Sequence, residues 1–197
     1  LFMDELPEYA RSVLESLREP LENRRILISR AAQQVMFPAD FMWVCAMNPC
    51  PCGYLLDRDF DCRCTPDQIQ RYQSKISGPL LDRIDIRIDI ERVPLSQLMN
   101  SSSQGEGSAV RLMRVIAARE RQYQRQGKLN KHLQGDELKQ VCGLSDKALQ
   151  FLLVTAERLH LSARGYFRVL RLARTIADNQ QQKVVSQSHL AQALAWR

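Results

Sequence analysis

The sequence has no apolar run close to the ~20 residues that a membrane-spanning helix needs, and no secretion signal is visible. We therefore expect a bacterial cytoplasmic location and no membrane partner. The sequence also lacks the Gly-x-x-x-x-Gly-Lys-Ser/Thr loop, so the cradling of phosphates by that loop is absent. No methionine stands at position 1, and Leu1–Asp4 has the pattern of a strand end, so we expect a piece of a longer protein.

The composition that is present is that of an ordinary globular protein. Of its 197 residues 45% are hydrophobic and 25% are charged, which is enough apolar material for one sizeable core or two small ones. The formal net charge of +6 suits a polyanionic partner, nucleotide or nucleic acid. A solvated basic surface explains the same charge, and on charge alone it is the simpler explanation.

The hydrophobic pattern divides the chain into two parts joined by a linker. Residues 1–100 mix strands and helices, residues 101–108 are small and polar, and residues 109–197 are helical throughout. In the second part the pattern predicts five helices, at 109–126, 136–142, 145–159, 163–179 and 187–196. This is an α/β part followed by an all-α part, the layout of a parallel-sheet nucleotide-binding core followed by a helical lid.

Three stretches of the first part predict strands. Phe41–Ala46 is a continuous apolar run, as expected of a central parallel strand covered on both faces. Ile84–Ile90 alternates isoleucine with charged residues and predicts a half-exposed strand near a sheet edge. Apolar residues flanking a polar tip predict a hairpin, with the set Ile26, Ile28, Val35 and Phe37. One helix is expected to stop near Pro20, and a second to begin at the capping box Thr65–Gln68.

Polar side chains follow two of the expected parallel strands. Asp4 and Glu5 follow the first, and Asn48 follows Phe41–Ala46. Ligands of open α/β folds bind at the carboxyl ends of strands. Asp4 could therefore hold Mg²⁺, Glu5 could orient or deprotonate an attacking water, and Asn48 could bind a phosphate or that water. Taken singly, each motif is explained more simply by a polar strand end or an Asn-Pro turn.

Two arginines stand at positions where an anion could bind. Arg83 lies where a helix gives way to the expected edge strand, and could reach a neighbouring subunit's γ-phosphate or pair with an adjacent aspartate. Ser162 predicts a helix N-cap, which places Arg164 in the first turn, where a cation opposes the helix dipole unless an anion binds. Further arginines continue that face, at Arg168, Arg171 and Arg174, and a solvated face is expected for Arg168 and Arg171.

Four of the six cysteines form two Cys-x-Cys pairs separated by nine residues: Cys50, Cys52, Cys62 and Cys64. Four thiolates so arranged could make a closed tetrahedral zinc site with a structural role. The alternative is a surface loop of four reduced or adventitiously oxidised thiols, since Cys-x-Cys is tighter than the usual zinc spacing. Cys45 and Cys142 are expected to be core residues.

Four segments in this order resemble one family. They are Leu-Phe-Met-Asp-Glu-Leu-Pro-Glu (1–8), Met-Asn-Pro-Cys-Pro-Cys-Gly (47–53), Ser-Gly-Pro-Leu-Leu-Asp-Arg-Ile-Asp (77–85), and the arginine-rich segment 164–178. Together they resemble the magnesium-chelatase-like AAA+ ATPases of bacteria, in particular the competence-associated ComM/YifB branch, and the resemblance extends over essentially the whole chain. The resemblance implies a truncated AAA+ core followed by a helical lid.

The family implies a role for each matching position. Asp4 and Glu5 would be the Walker B pair, Asn48 would be sensor 1, Arg83 the arginine finger and Arg164 the sensor 2 arginine. Residues 23–37 would be the hairpin that precedes sensor 1. The cofactors would be ATP and Mg²⁺, and the partners DNA and further copies of the chain in a ring. The implied function is an ATP-driven motor in recombination and natural transformation, of which this piece alone is expected to be inactive.

Two other functions fit parts of the sequence. One is a non-enzymatic zinc-containing DNA-binding module, with phosphate contacts from Arg111, Arg114, Arg119, Arg121, Arg125 and Lys128. The other is a true magnesium-chelatase subunit, although the chain holds no evident porphyrin site. For the motor, we expect the hairpin to contact DNA through Arg24, Arg25 and Arg30.

Overall fold

The computed structural model describes residues 1–30, 33–93 and 105–196, except for the side chain of Arg30. Residues 31–32, part of the polar tip expected around Ser29–Gln34, and residues 101–104, the first part of the expected linker, lie outside the described residues. The chain divides into two compact units. Unit 1 comprises residues 1–84 and 90–92, and unit 2 comprises residues 85–89 with the remaining described residues.

Unit 1 contains two pairs of strands. β1 (Phe2–Met3) pairs in parallel with β4 (Val44–Cys45). β2 (Arg25–Arg30) pairs with β3 (Gln33–Pro38) as an antiparallel hairpin. Its register places Ile26 opposite Phe37 and Ile28 opposite Val35, so the predicted hairpin is confirmed.

Two predicted strands differ from the structure. β4 covers two residues rather than the run Phe41–Ala46, and Val44 is 45% exposed, so this strand is not covered on both faces. Among the described residues β1 is the strand that pairs with β4, so β4 does not have the central position that was expected. Ile84–Ile90 is assigned to no strand in the described chain. There, the Arg87 N–H donates to the Trp196 carbonyl at 2.8 Å, at a helix end rather than in a sheet.

The helices of unit 1 are short. A 3₁₀ helix (Leu6–Glu8) precedes α1 (Arg11–Ser16), α2 (Arg18–Asn23), α3 (Pro66–Gln73) and α4 (Gly78–Leu81). The predicted stop near Pro20 is wrong, because Pro20 lies in the first turn of α2, where a missing N–H leaves no helical bond unmade. The capping box at Thr65 and Gln68 is confirmed. The core of the unit is formed by Met3, Leu6, Leu14, Ile76 and Leu80.

Unit 2 is helical, as predicted. Its helices are α5 (Ser108–Gln126), α6 (Gly135–Cys142), α7 (Asp146–Arg158), α8 (Ala163–Asn179) and α9 (Gln187–Ala195), with a 3₁₀ turn at Asn130–His132. Each helix lies within one residue of its predicted bounds. The unit has its own core, centred on Leu138, Leu152, Leu170 and Leu190. The mixed fold class is therefore the one predicted, an α/β core segment followed by a helical lid.

A buried polar network replaces the solvated arginine face predicted for α8. Arg174 and Asp178 are both fully buried and their side chains pair at 2.9 Å. Asp178 also accepts from Arg125 of α5 at 2.5 and 3.0 Å and from Asn130 at 2.8 Å. Arg168 is buried as well, at 4% exposure, and Arg171 is half-buried, so the expectation of a solvated face at Arg168 and Arg171 is wrong.

No helix in the described ranges is both long and apolar enough to cross a membrane.

Candidate functional site

The two carboxylates of the first motif stand at the carboxyl end of β1. The pairing of β1 with β4 continues up to this point, because the Leu6 N–H donates to the Ala46 carbonyl at 3.0 Å. The Glu5 N–H donates to Asp4 Oδ1 at 2.9 Å, and both side chains are exposed. Glu5 has a φ of 50°, in the left-handed region that non-glycine residues rarely adopt. The turn therefore presents two adjacent carboxylates to solvent on a strained backbone.

Asn48 stands at the same edge of the sheet. It follows β4 by three residues, and β4 runs parallel to β1, so both strands end on the same side. Asn48 is exposed. The structure thus brings Asp4, Glu5 and Asn48 to one sheet edge, where an anionic ligand and its cation can meet carboxylate and amide groups.

Helix α3 supports the loop that carries Asn48, which the sequence did not indicate. Gln73 Nε2 donates to the Pro49 carbonyl at 3.0 Å. Burial and the charge of Glu8 raise the pKa of Tyr72, while a hydrogen bond from the Asn48 backbone opposes that shift. Lys75 binds Glu8 at 3.2 Å. The helical spacing of Ile69, Tyr72 and Ile76 was the available signal, but it indicated a buried face rather than this contact.

The four clustered cysteines come together. All four Sγ atoms lie within 4.8 Å of one another, and the Cys50, Cys52 and Cys62 sulfurs are 3.4 to 3.6 Å apart. None of the six cysteines forms a disulfide. Zn–S bonds of ~2.3 Å in a tetrahedron put sulfur atoms about 3.8 Å apart, so the cluster has nearly the dimensions of such a site.

The chemistry of the cluster fits a cation. The backbone N–H groups of Tyr54 and Arg63 lower the pKa of the Cys52 thiol to about 6. Burial, with the neighbouring cysteines, raises the pKa of Cys64 to about 12. Thiols this close suppress one another's ionisation, and a bound cation removes that repulsion. Cys50 follows Asn48 by two residues and Cys64 directly precedes the N-cap of α3, so the cluster joins the loop to that helix.

Arg83 is held within unit 1 by its own neighbours. It lies just after α4, and its Nη1 donates to the Pro79 carbonyl at 2.6 Å. Its Nη2 forms an ion pair with Glu22 of α2. Of the partners considered from the sequence, Asp82 and Asp85, neither is the one found here. A pairing with a residue 61 positions away leaves no local signal in the sequence.

Arg164 lies in the first turn of α8, as predicted. Ser162 Oγ accepts from the Gly165 N–H at 3.1 Å, which confirms the N-cap. The Arg164 side chain is exposed. It belongs to unit 2, whereas the sheet-edge residues and Arg83 belong to unit 1.

Several arginines proposed as DNA contacts are already engaged. Arg125 binds Asp178, and Arg121 donates to the Asp178 carbonyl at 3.0 Å. Arg114 pairs with Glu106. On the hairpin, Arg25 is exposed and its Nη1 lies 3.5 Å from Met36 Sδ. Arg24 ends α2 with a φ of 55° and lies 4.0 Å from Asp40.

Comparison with known proteins covers nearly the whole chain. Residues 1–98 match the family described as magnesium chelatase, subunit ChlI, and residues 105–197 match its C-terminal part. Over all 197 residues the chain is 45% identical to competence protein ComM of Haemophilus influenzae. It is 43% identical to the uncharacterized protein YifB of Escherichia coli and 44% identical to YifB of Salmonella typhimurium. The chain spans only 38% of the length of each of these relatives.

Proposed function

Because this chain belongs to the magnesium-chelatase-like family of AAA+ proteins, in its ComM/YifB branch, we propose that it is the carboxyl-terminal part of an ATP-hydrolysing motor. The observation that carries the proposal is the meeting of Asp4, Glu5 and Asn48 at one end of two paired parallel strands. A phosphate-binding loop would have to come from sequence preceding residue 1. The cytoplasm, where thiols stay reduced, is the proposed location.

Each residue of the sheet edge has a part in this proposal. The acceptor-only carboxylate of Asp4 suits Mg²⁺, which would neutralise charge on the nucleotide phosphates. Glu5 orients the attacking water and accepts its proton. The left-handed backbone conformation of Glu5 sets the direction of its Cα–Cβ bond. Asn48 binds the phosphate or that water, while Gln73 holds the adjoining Pro49 carbonyl. Arg164, from the lid, contacts the nucleotide as sensor 2.

Nucleotide binding by the full-length protein tests this proposal. We expect a fluorescent ATP analogue with Mg²⁺ to bind the full-length protein, while the 197-residue chain alone binds at least ~100-fold more weakly because the phosphate loop contributes most of the contacts. An Arg71→Ala variant of the full-length protein, which leaves that loop and the proposed nucleotide contacts intact, serves as the matched control and should still bind. Equal binding by the chain and the full-length protein, or binding by neither, would contradict the proposal.

We further propose that the motor is a ring that acts on DNA, as in branch migration during recombination and natural transformation. A ring allows Arg83 of one copy to serve the nucleotide of the next. The competence name of the relative from Haemophilus influenzae supports a DNA substrate. A module that only binds DNA is less favoured, because Arg121 and Arg125 are committed to Asp178. A chelatase subunit is favoured by no residue described here beyond the family match.

The hairpin β2–β3 is the proposed DNA contact of the motor. Replacing Arg24, Arg25 and Arg30 together by alanine is expected to weaken DNA binding and to lower the salt dependence of log K by about 0.9 per lost phosphate contact. Basal ATP turnover should stay near that of the unchanged protein. A titration of fluorescent DNA at several salt concentrations measures both quantities.

A triple variant with the same change of net charge is the control for the hairpin. It replaces arginines outside the hairpin, namely Arg11, Arg18 and Arg71, and should preserve the salt slope. If both triple variants lose affinity equally, the effect is one of net charge, and the hairpin is an ordinary solvated one.

We propose that the cysteine cluster holds one structural zinc ion. Four thiolate ligands leave no open position, so the ion has no catalytic part and instead fastens the loop after Asn48 to the start of α3. Elemental analysis of protein purified without added metal should find one zinc per chain. Cys62→Ser should lose it, whereas Cys45→Ser, which removes a cysteine outside the cluster, should retain it. Metal-free protein with all four cysteines reduced would exclude the site.

A further inference from the structure

The ion pair between Arg83 and Glu22 engages the group that the proposed function requires elsewhere. An arginine finger must offer its guanidinium to a phosphate on another copy. In this structure the Arg83 side chain is only 10% exposed, and two of its nitrogens are taken by Glu22 and the Pro79 carbonyl. Glu22 is 47% exposed, so the carboxylate that holds the arginine is itself reachable from solvent.

Local structure places both partners firmly. Glu22 lies in the last turn of α2, which ends at Arg24 in a left-handed conformation. Arg83 follows α4, a helix fixed at its start by Ser77, whose Oγ accepts from the Leu80 N–H at 3.4 Å. Leu80 is fully buried in the core of unit 1. The carboxylate and the guanidinium therefore meet because two short helices are fixed there, rather than by adjacency in the chain.

The resting position does not satisfy the guanidinium fully. Arg83 Nε is buried and has no hydrogen-bond partner among the described residues. A buried donor without an acceptor is unfavourable, so this position is less stable than one with every donor used. A phosphate offers several acceptor oxygens to the planar donors of arginine and would satisfy more of them.

The surroundings of the pair disfavour a phosphate at the resting position. Glu22 and Arg83 line an open cavity of about 330 Å³ together with Glu15, Arg18, Glu19 and Asn23. Three carboxylates and two cations give this cavity an excess of negative charge. An anion is repelled from it, so Arg83 has to leave Glu22 in order to reach a phosphate.

We propose that Glu22 is a positioning residue that keeps Arg83 in a resting position and competes for its guanidinium with the phosphate of an adjoining copy. The inference rests on the proposed function, because it takes Arg83 to be the finger. Docking of a nucleotide-loaded copy supplies the competing anion. The finger is then engaged only when that copy is in place.

Glu22→Gln in the full-length protein tests the proposal. The neutral amide keeps the shape of the side chain but weakens its interaction with the Arg83 guanidinium. The rate at which phenylglyoxal modifies Arg83 in the absence of nucleotide should therefore rise about fivefold, as measured by peptide mass spectrometry. When the protein is too dilute for every copy to be docked, ATP turnover per chain should also rise about threefold to tenfold. The reason is that the amide competes less than the carboxylate with the phosphate for the guanidinium of Arg83. Glu22→Asp, which retains the charge on a shorter side chain, should give intermediate values for both.

Glu19→Gln is the matched control, because Glu19 lines the same cavity and carries the same charge, whereas Glu22 is the carboxylate that pairs with Arg83. It should change neither labelling nor turnover. Unchanged labelling in Glu22→Gln, or increased labelling with unchanged or reduced turnover, overturns the proposal. Failure of the proposed function has a different signature: the unchanged protein would have no ATP turnover or, if only the finger role is wrong, Arg83→Ala would retain full turnover whatever happens at Glu22.

Discussion

Replacing Arg83 by alanine in the full-length protein is expected to lower ATP turnover by about a thousandfold, while the affinity for nucleotide stays within about twofold. The reason is that the contact between the proposed finger and the phosphate strengthens as charge develops during hydrolysis, and that the finger acts from another copy. The residues proposed to bind the nucleotide, Asp4, Asn48 and Arg164, are unchanged in this variant. Turnover by phosphate release and affinity by nucleotide titration measure the two effects separately.

Mixing two inactive variants tests whether the arginine acts between copies. Glu5→Gln lacks the group that activates water, and Arg83→Ala lacks the finger. A copy with Glu5 intact and its neighbour with Arg83 intact complete one site between them. We therefore expect the mixture to recover a part of the original turnover, although each variant alone has almost none. Arg71→Ala, an exposed arginine of the same unit, should retain full activity.

Two results would contradict a role of Arg83 between copies. If Arg83→Ala loses nucleotide affinity as much as turnover, the ion pair with Glu22 serves the structure of unit 1. If the mixture remains as inactive as its components, Arg83 acts within its own copy. In either case the sheet-edge roles of Asp4 and Glu5 are unaffected, because they rest on β1 and β4.

Local signals predicted the parts of the fold that depend on short-range chemistry. The N-caps at Thr65 and Ser162 were predicted correctly, since a hydroxyl that accepts from an N–H three residues on needs nothing else. The five helices of unit 2 were found because each has a continuous apolar face at helical spacing. The hairpin followed from the alternation of apolar residues on the segments that form β2 and β3.

Elements that depend on a distant partner were predicted less well. Ile84–Ile90 has the alternation of a strand but no strand beside it in the described chain, and Ile90 is 88% exposed. Alternation shows that a segment suits a sheet, not that a sheet is present. The helix stop expected at Pro20 failed for the opposite reason. A proline is tolerated in a first turn, and the break before α2 had no signal of its own.

The candidate sites show the same division. The proximity of Asp4 and Asn48 followed from the rule that parallel strands end at one sheet edge, and close pairing made the cysteine cluster a natural expectation. The residues with which the arginines form ion pairs could not be predicted from the sequence. In the sequence, Arg174 is one more cation on a basic helix face. It is nevertheless fully buried, because its charge is paired with Asp178 one turn further along α8. Two arginines sharing one aspartate require α5 and α8 to meet, which no local pattern records.

Replacing Asp178 by alanine is expected to destabilise unit 2 by about 3–5 kcal/mol, the usual cost of breaking a buried ion pair from one side. The substitution leaves Arg174 fully buried without its counter-ion and removes the acceptor of Arg125 and Asn130. Helix α5 thereby loses a main polar link to α8. Asp178→Asn keeps the shape without the charge and should lie between alanine and the native residue.

Urea unfolding of the 197-residue chain measures this effect on unit 2. In a Trp43→Phe background, tryptophan fluorescence reports on Trp196 alone, which belongs to that unit. Asp136→Ala, which removes the exposed partner of Lys139, is the control and should not shift the transition measurably.

The Asp178→Ala substitution should also change the acid sensitivity of unit 2. Although burial raises the pKa of Asp178, hydrogen bonds from Arg125 and Asn130 and the nearby arginine charges lower this pKa overall. Its contribution is therefore complete above the ordinary aspartate pKa of about 3.8 and is lost as the pH falls below it. An Asp178→Ala variant that unfolds at the native urea concentration, with unchanged acid sensitivity, would show that the buried network does not stabilise the lid.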